Sequence, residues 1–192
     1  MELVLIVFIC YFAGSIPFGL ILTKIFLKKD IRKIGSGNIG ATNVLRTGNK
    51  FVGYLTLILD ILKAVIPIIF VKIYFTEYLY IASLCVFLGH VFPVWLKFSG
   101  GKGVATYVGI LCCINIYLGF AFGIVWLITF LMFKYSSLSS LLGSLSIPII
   151  NFLILKEEVI FFFIIMFVLI FYTHRANIKR LLNRSESKTK IY

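Results

Sequence analysis

The sequence predicts an all-α, polytopic membrane protein, and three observations carry that reading. Hydrophobic residues make up 61% of the 192 residues and charged residues 14%, against about 45–50% and 25% in an ordinary soluble domain. Mean hydropathy is +1.07. The apolar residues also lie in long runs, several near the ~20 residues that a helix needs to cross a bilayer. So large an apolar surplus cannot be buried in a chain this small, whose surface is large relative to its volume. A soluble cytosolic enzyme and a disordered chain are both excluded.

The first apolar run is 3–22. Met1-Glu2-Leu3 lacks the positive n-region of a cleavable signal peptide, so this run reads as a retained span. Runs 51–71 and 78–96 follow. The stretch 104–133 is too long for one ordinary span and short for two, and is predicted to form two short helices breaking near Asn115 to Gly119. Runs 138–155 and 159–172 complete the set. The result is seven spans in a single domain, 1–192, with a short basic tail over 174–192. Five spans, obtained by merging both ambiguous regions, is the alternative count.

Charge gives the orientation. Lys and Arg number 19 against seven Asp and Glu, a net charge of +12. With the N-terminus outside and the tail cytoplasmic, the cations concentrate on inner loops, as basic residues flanking spans do. Those loops carry Lys24 to Lys50, Lys97, Lys102, Lys134 and the tail cations to Lys190. Lys72 and Lys156 fall outside with Glu77, Glu157 and Glu158, and Lys63 lies within a span beside Asp60. A basic excess suits nucleic acid, anionic lipid or a small anionic substrate; cations placed beside apolar spans disfavour nucleic acid. Cys10, Cys85, Cys112 and Cys113 lie in apolar runs with no CxxC pair, so no metal site is expected.

Four polar clusters fall on the predicted inner side. The first is Gly35-Ser36-Gly37-Asn38-Ile39-Gly40-Ala41-Thr42-Asn43-Val44-Leu45-Arg46. It contains GxGxxG, but the charged segment before it is no buried strand, so a dinucleotide fold is excluded. Glycines that let backbone N–H groups turn toward an anion, with Ser36, Asn38, Thr42 and Asn43 beside them, suit a phosphate. Arg46 can grip one bidentately. The second cluster is Gly89-His90-Val91-Phe92-Pro93 with Gly100-Gly101-Lys102-Gly103. It is no Walker A loop, since Leu96 and Gly103 occupy positions that motif reserves for Gly and Ser or Thr. Lys102 between glycines still suits phosphate, whereas His90 reads as structural. The third is Ser136-Ser137-Leu138-Ser139-Ser140, which reads as helix capping. The fourth is His174-Arg175-Ala176-Asn177-Ile178-Lys179-Arg180, where His174, Asn177, Ile178 and Leu181 share a helix face. Lys179 and Arg180 read as lipid anchors. Asp60 and Lys63, three residues apart, can pair in the second span, for a functional or a structural purpose.

Together these clusters resemble the bacterial acyl-phosphate:glycerol-3-phosphate acyltransferase family, with the likeness running from Gly14-Ser15-Ile16-Pro17-Phe18-Gly19 to the tail. The family's tail has glycine where this chain has Arg184, while Glu186 and Lys188 remain. The resemblance implies a seven-helix fold in the bacterial plasma membrane with its active site at the cytoplasmic face. It implies transfer of an acyl chain from acyl phosphate to the sn-1 hydroxyl of glycerol 3-phosphate, giving lysophosphatidic acid and phosphate. Acyl-CoA, acyl carrier protein, a cofactor and a metal are not required. Catalytic work is expected of Ser36, Arg46, Lys102, His174 and Asn177. Substrate binding is expected of Gly37, Asn38, Gly40, Ala41, Thr42, Asn43, Gly101 and Gly103, and the resemblance adds Ser140. The competing expectation is a phosphate or organic-anion transporter, which would place polar groups mid-membrane from several spans.

Overall fold

A computed structural model of the chain describes residues 1–155 and 159–189. Lys156, Glu157, Glu158 and Lys190 therefore lie outside the described residues. Among those described there is no strand; the regular elements are all helices, in two compact units, Met1–Ile114 and Asn115–Tyr192. Among the described residues, five helical segments are long and apolar enough to cross a membrane, or up to six when one bent pair is counted as a span.

In the first unit the opening run is two helices, α1 (Glu2–Ser15) and α2 (Phe18–Leu27), extending beyond the expected 3–22. The break is set by Pro17, which disfavours helical backbone at the residue before it; Ile16 is extended, at ψ 117°. A short helix α3 (Ala41–Leu45) follows, then α4 (Lys50–Tyr74), whose first turn is capped by the Asn49 side chain accepting from Val52 N at 3.0 Å. Helices α5 (Leu79–Val91) and α6 (Val104–Ile114) complete the unit.

Helices α1 and α5 approach closely where small residues remove side-chain bulk, as membrane helices do in the absence of a solvent-driven force. A Cβ added to Gly14 would overlap the Val86 carbonyl oxygen, and one added to Gly89 would overlap that of Tyr11. Gly89→Ala is expected to cost about 1–3 kcal/mol through overpacking, read as a lower Tm of the detergent-solubilised protein. The contact is also tied by Tyr11 Oη donating to Phe92 O at 2.7 Å and Trp95 Nε1 to Ser15 Oγ at 2.7 Å.

The stretch 104–133 divides at Asn115, within the predicted break. Asn115 caps the second unit's α7 (Ile116–Phe133), accepting from Tyr117 N at 3.0 Å. Helix α6 has only 11 residues. Lys72 Nζ donates to the Cys113 carbonyl at 2.6 Å and to that of Ile114 at 3.5 Å, supplying partners to carbonyls that a helix end leaves open. The merged 104–133 span assumed in the five-span alternative is thus divided, while the expected seven spans are not reached by length and composition, which give five or six among the described residues.

The second unit continues with α8 (Ser136–Ile150), α9 (Ile160–Thr173) and α10 (Arg175–Leu182). Pro148 lies inside α8, and a π-turn, Asn151–Leu155, follows it; proline interrupts the helical hydrogen-bond ladder. Helix α9 does not run straight into the tail helix, because the two are bent by 64° at His174.

Candidate active site

The first-unit site is built on the loop between α2 and α4. Asp30 opens it by accepting from Arg32 N at 3.0 Å and pairing with Arg32 Nη2 at 2.6 Å. Those hydrogen bonds from Arg32 hold the Asp30 carboxyl well below the usual carboxylate range. Asn43 is the hub. Its Nδ2 donates toward the carbonyls of Ile34 at 2.9 Å, Asn38 at 2.8 Å and Ile31 at 3.2 Å, while its Oδ1 accepts from Ser36 N at 2.9 Å. Asn38 closes its own turn, accepting from Gly40 N at 2.8 Å. These two amides therefore shape the loop, and the ligand-facing role expected of them has to be shared with this internal bonding.

The glycines are explained by conformation and by space. Gly35 and Gly37 have φ of +55° and +72°, a region L-residues avoid. A Cβ on Gly35 would overlap Asn43 Oδ1 and lie 3.3 Å from Arg46 Cδ, so Arg46 runs its stem alongside the Gly35-Ser36 turn. The loop is seated on α2, where the Ile39 carbonyl occupies the space a side chain at Gly19 would need. Ile31, Ile39, Val44, Leu20, Leu22 and Val52 form the apolar cluster beneath. Ser36 and Arg46 are exposed, and Ala41 and Thr42 are half-buried.

The second segment folds back on the end of α5. Gly100 N donates to Val91 O at 3.0 Å and Gly101 N to His90 O at 3.1 Å. Gly103, at φ +82°, leaves room for the Phe87 ring where a Cβ would sit and starts α6, where Tyr107 N donates to its carbonyl at 2.8 Å. Lys102 is half-buried between them. Beneath lies a buried charge cluster. Lys63 Nζ is 2.8 Å from Asp60 Oδ1 and donates to the Ile16 carbonyl at 2.8 Å. That carbonyl is freed where Pro17 interrupts the first span, so the pair serves the break between α1 and α2. His90 Nδ1 is 3.8 Å from the same Asp60 oxygen.

In the second unit, His174 and Asn177 are both buried, and Ile178 and Leu181 half-buried, whereas Arg175, Ala176 and Lys179 are exposed. The shared face expected from helical spacing is present in spite of the bend. His174 Nδ1 lies 2.8 Å from the Ile170 carbonyl, which requires that nitrogen to carry a proton and puts the neutral ring's lone pair on Nε2. Ser140 is buried; its Oγ donates to Ser136 O at 2.9 Å and accepts from Trp126 Nε1 at 3.2 Å. Ser140 is therefore bonded within α8 and to α7, and the capping expected of the serine run is not made, since the N-cap of α8 is Tyr135 with no side-chain cap bond.

The residue that sequence reasoning passed over is Glu186. Its side chain is 5% exposed. Oε1 accepts from Asn177 Nδ2 at 2.6 Å and from Ser137 Oγ at 2.8 Å, and Oε2 from Arg180 Nε at 2.6 Å. Arg180 thus faces this carboxylate instead of serving only as a lipid anchor. A lone carboxylate among Arg180, Arg184 and Lys188 was the available signal. Burial opposes its ionisation, but the hydrogen bonds from Asn177, Arg180 and Ser137 outweigh that and hold the carboxyl below its ordinary value. A carboxyl whose native pKa is depressed stabilises the fold fully above its unfolded value, about 4.3, and loses that contribution as pH falls through the lower native one. Glu186→Gln should therefore melt earlier than wild type at neutral pH, and the two Tm curves should converge in the acid range.

A sequence model of the family described as "Glycerol-3-phosphate acyltransferase" matches residues 4–184. A glycerol-3-phosphate acyltransferase of Pelagibacter ubique (strain HTCC1062) is 67% identical over all of both chains. One from Mesorhizobium japonicum is 47% identical over 93% of this chain and 91% of its own length. Two crystal structures of PlsY (YgiH), an integral membrane glycerol 3-phosphate acyltransferase, are 36% identical to the chain. The glycerol 3-phosphate form superposes with a TM-score of 0.92 over 99% of this chain and 96% of that one. The lysophosphatidic acid form superposes with a TM-score of 0.88, over 98% and 95%.

Proposed function

The chain belongs to the glycerol-3-phosphate acyltransferase family, and on that premise we propose how it uses its two units. It is an acyltransferase of the membrane; the transporter reading finds no support among its relatives. The acceptor is glycerol 3-phosphate, acylated at the sn-1 hydroxyl to give lysophosphatidic acid. The donor is an acyl phosphate. The hydroxyl oxygen attacks the acyl carbonyl, the carbonyl-to-phosphate oxygen bond breaks, and inorganic phosphate leaves while the hydroxyl proton passes to a base.

The observation that carries this reading is the Asn43-centred loop that sets the Arg46 stem beside the Gly35-Ser36 turn. A glycine loop with a guanidinium along it suits a phosphate. A mixed anhydride has a good leaving group, so positioning and charge stabilisation can supply most of the acceleration. That fits a residue set rich in cations and amides. Acyl-CoA or acyl carrier protein is then unnecessary. In this reading Ser36, Arg46, Lys102, His174 and Asn177 do the catalytic work. Gly37, Asn38, Gly40, Ala41, Thr42, Asn43, Gly101 and Gly103 shape the phosphate sites, and Ser140 supports α8. Ser36 serves as ligand or proton handler, not as acyl acceptor, because a covalent route needs a base in reach of the hydroxyl.

Seven crossings are proposed, counting α6 as a short one and the bent pair α9–α10 as the last. Eleven residues rise only about 16 Å, and the Lys72 contacts to the α6 carbonyls answer the need for internal partners in lipid. With basic loops inside, the N-terminus is outside and the tail cytoplasmic, in the plasma membrane of a bacterium.

Purified protein given acyl phosphate and glycerol 3-phosphate should release one phosphate per lysolipid formed. Turnover with acyl-CoA but not with acyl phosphate would overturn the donor assignment. An acylated Ser36 peptide after incubation with donor alone would overturn its assigned role.

A further inference from the structure

We propose that His90, packed beside the Asp60–Lys63 pair, is a positioning residue that sets Lys102 for its phosphate; the inference rests on the role of Lys102 proposed above. Three observations in the first unit converge on it. The space that a side chain at Gly101 would need is filled by the His90 ring, with Nε2 as the nearest atom. The backbone of the same histidine accepts from Gly101 N at 3.1 Å. His90 thus fixes the residue before Lys102 twice, through its ring and through its carbonyl. Gly100, for its part, has no room for a Cβ beside the His90 carbonyl and Pro93.

On its far side the ring faces the buried ion pair, just beyond hydrogen-bond distance. His90 is buried, and its Nδ1 lies 3.8 Å from Asp60 Oδ1, the oxygen that Lys63 Nζ approaches to 2.8 Å. Lys63 in turn bonds the Ile16 carbonyl, and Thr106 Oγ1, one turn into α6, donates to the Asp60 carbonyl at 3.4 Å. Asp60 and Lys63 therefore join the break of the first span, α4 and the start of α6, with the His90 ring of α5 packed beside them next to the glycine segment. A merely structural ion pair would require no glycine at 101. Charges buried in an apolar surround are costly to hold, and a rigid seat for a substrate-facing cation gives that cost a use, since catalytic geometry depends on such support.

The test is a set of double-mutant cycles on the purified enzyme, with kcat and KM taken separately for each substrate and per folded, monodisperse protein. Lys102→Ala should lower kcat/KM at least tenfold. His90→Ala and Gly101→Ala should each lower it in the same parameter and for the same substrate. His90→Ala should then add less than twofold in the Lys102→Ala background, because both changes remove one interaction and coupled residues do not add. His90→Ala should also restore at least threefold of the Gly101→Ala loss by vacating the space the new methyl needs. If His90→Ala does not accumulate in membranes, His90→Asn carries the same comparisons. A His90 effect that multiplies undiminished onto Lys102→Ala, or a Gly101→Ala loss that no His90 variant relieves, would overturn the proposal. Full activity of Lys102→Ala would instead remove Lys102 from the site, and the inference with it.

Discussion

Arg46→Lys should lower kcat/KM by about 10- to 100-fold while the protein inserts and melts as wild type does. Lysine keeps the charge and discards the planar fork, so the variant isolates geometry from sign. A hydrogen bond to a charged group is worth about 1.5–3 kcal/mol, and each 1.36 kcal/mol is tenfold in rate. The loss of one arm of a bidentate grip therefore lands in that range. Stability should hold because Arg46 is exposed. The loop is fastened by Asn43 and by the Ile39 carbonyl on Gly19. Initial rates over a matrix of both substrates would show which phosphate the guanidinium serves. Unchanged kinetics would mean that the arginine is a topogenic charge and nothing more.

Asn43→Ala makes a contrast. The same loop would lose its centre, leaving the Ile34 and Asn38 carbonyls and Ser36 N without their shared partner. Here the damage should appear in folded yield and in kcat/KM together. That difference separates a residue that holds the loop from one that the loop presents.

The distinction was not legible in the sequence. Ser36, Asn38, Thr42 and Asn43 read as four equivalent polar groups, since composition and glycine spacing report an anion-suited loop but not which amide turns inward. What could be read were patterns repeated along the chain: the apolar runs, the break at Asn115, the helical face shared by His174 and Asn177. Those depend on local periodicity, which a sequence carries. The Glu186 contacts, one of them to Ser137 across 49 residues, and the seat that His90 provides for Gly101 depend on how the chain folds back on itself, which periodicity does not report. Asp60 and Lys63 stand between the two cases. Their spacing announced a pair, but its employment on the Ile16 carbonyl required knowing that Pro17 breaks the first span against α4.

His174→Ala and Asn177→Ala should each depress turnover at saturating substrate by about 100-fold or more, the scale of a lost general acid–base or orienting group. Both residues are buried, with His174 only 1% exposed, so a structural explanation must be separated. Removing the imidazole takes away one bond to the Ile170 carbonyl, which keeps Thr173 Oγ1 at 2.9 Å and His174 N at 3.1 Å. The change therefore costs the net worth of a hydrogen bond, about 0.5–1.5 kcal/mol, and reduces the amount of folded protein but not the rate of each folded molecule. Turnover per folded enzyme is therefore the deciding quantity. For Asn177 the separation uses its partner. Glu186 fixes the amide by accepting from its Nδ2 at 2.6 Å, and Glu186→Gln keeps a carbonyl oxygen in reach while removing the charge. That variant should lose Tm at neutral pH yet keep most of its turnover per folded enzyme, in contrast to Asn177→Ala. Lys188→Ala is the control for lipid attachment. The side chain is exposed, and one surface cation contributes about 1 kcal/mol of attraction to anionic lipid, so its turnover should be close to wild type. If His174→Ala and Asn177→Ala turned over as fast as Lys188→Ala, their shared face would be packing between α8, α9 and α10, and the proton would have to be handled elsewhere.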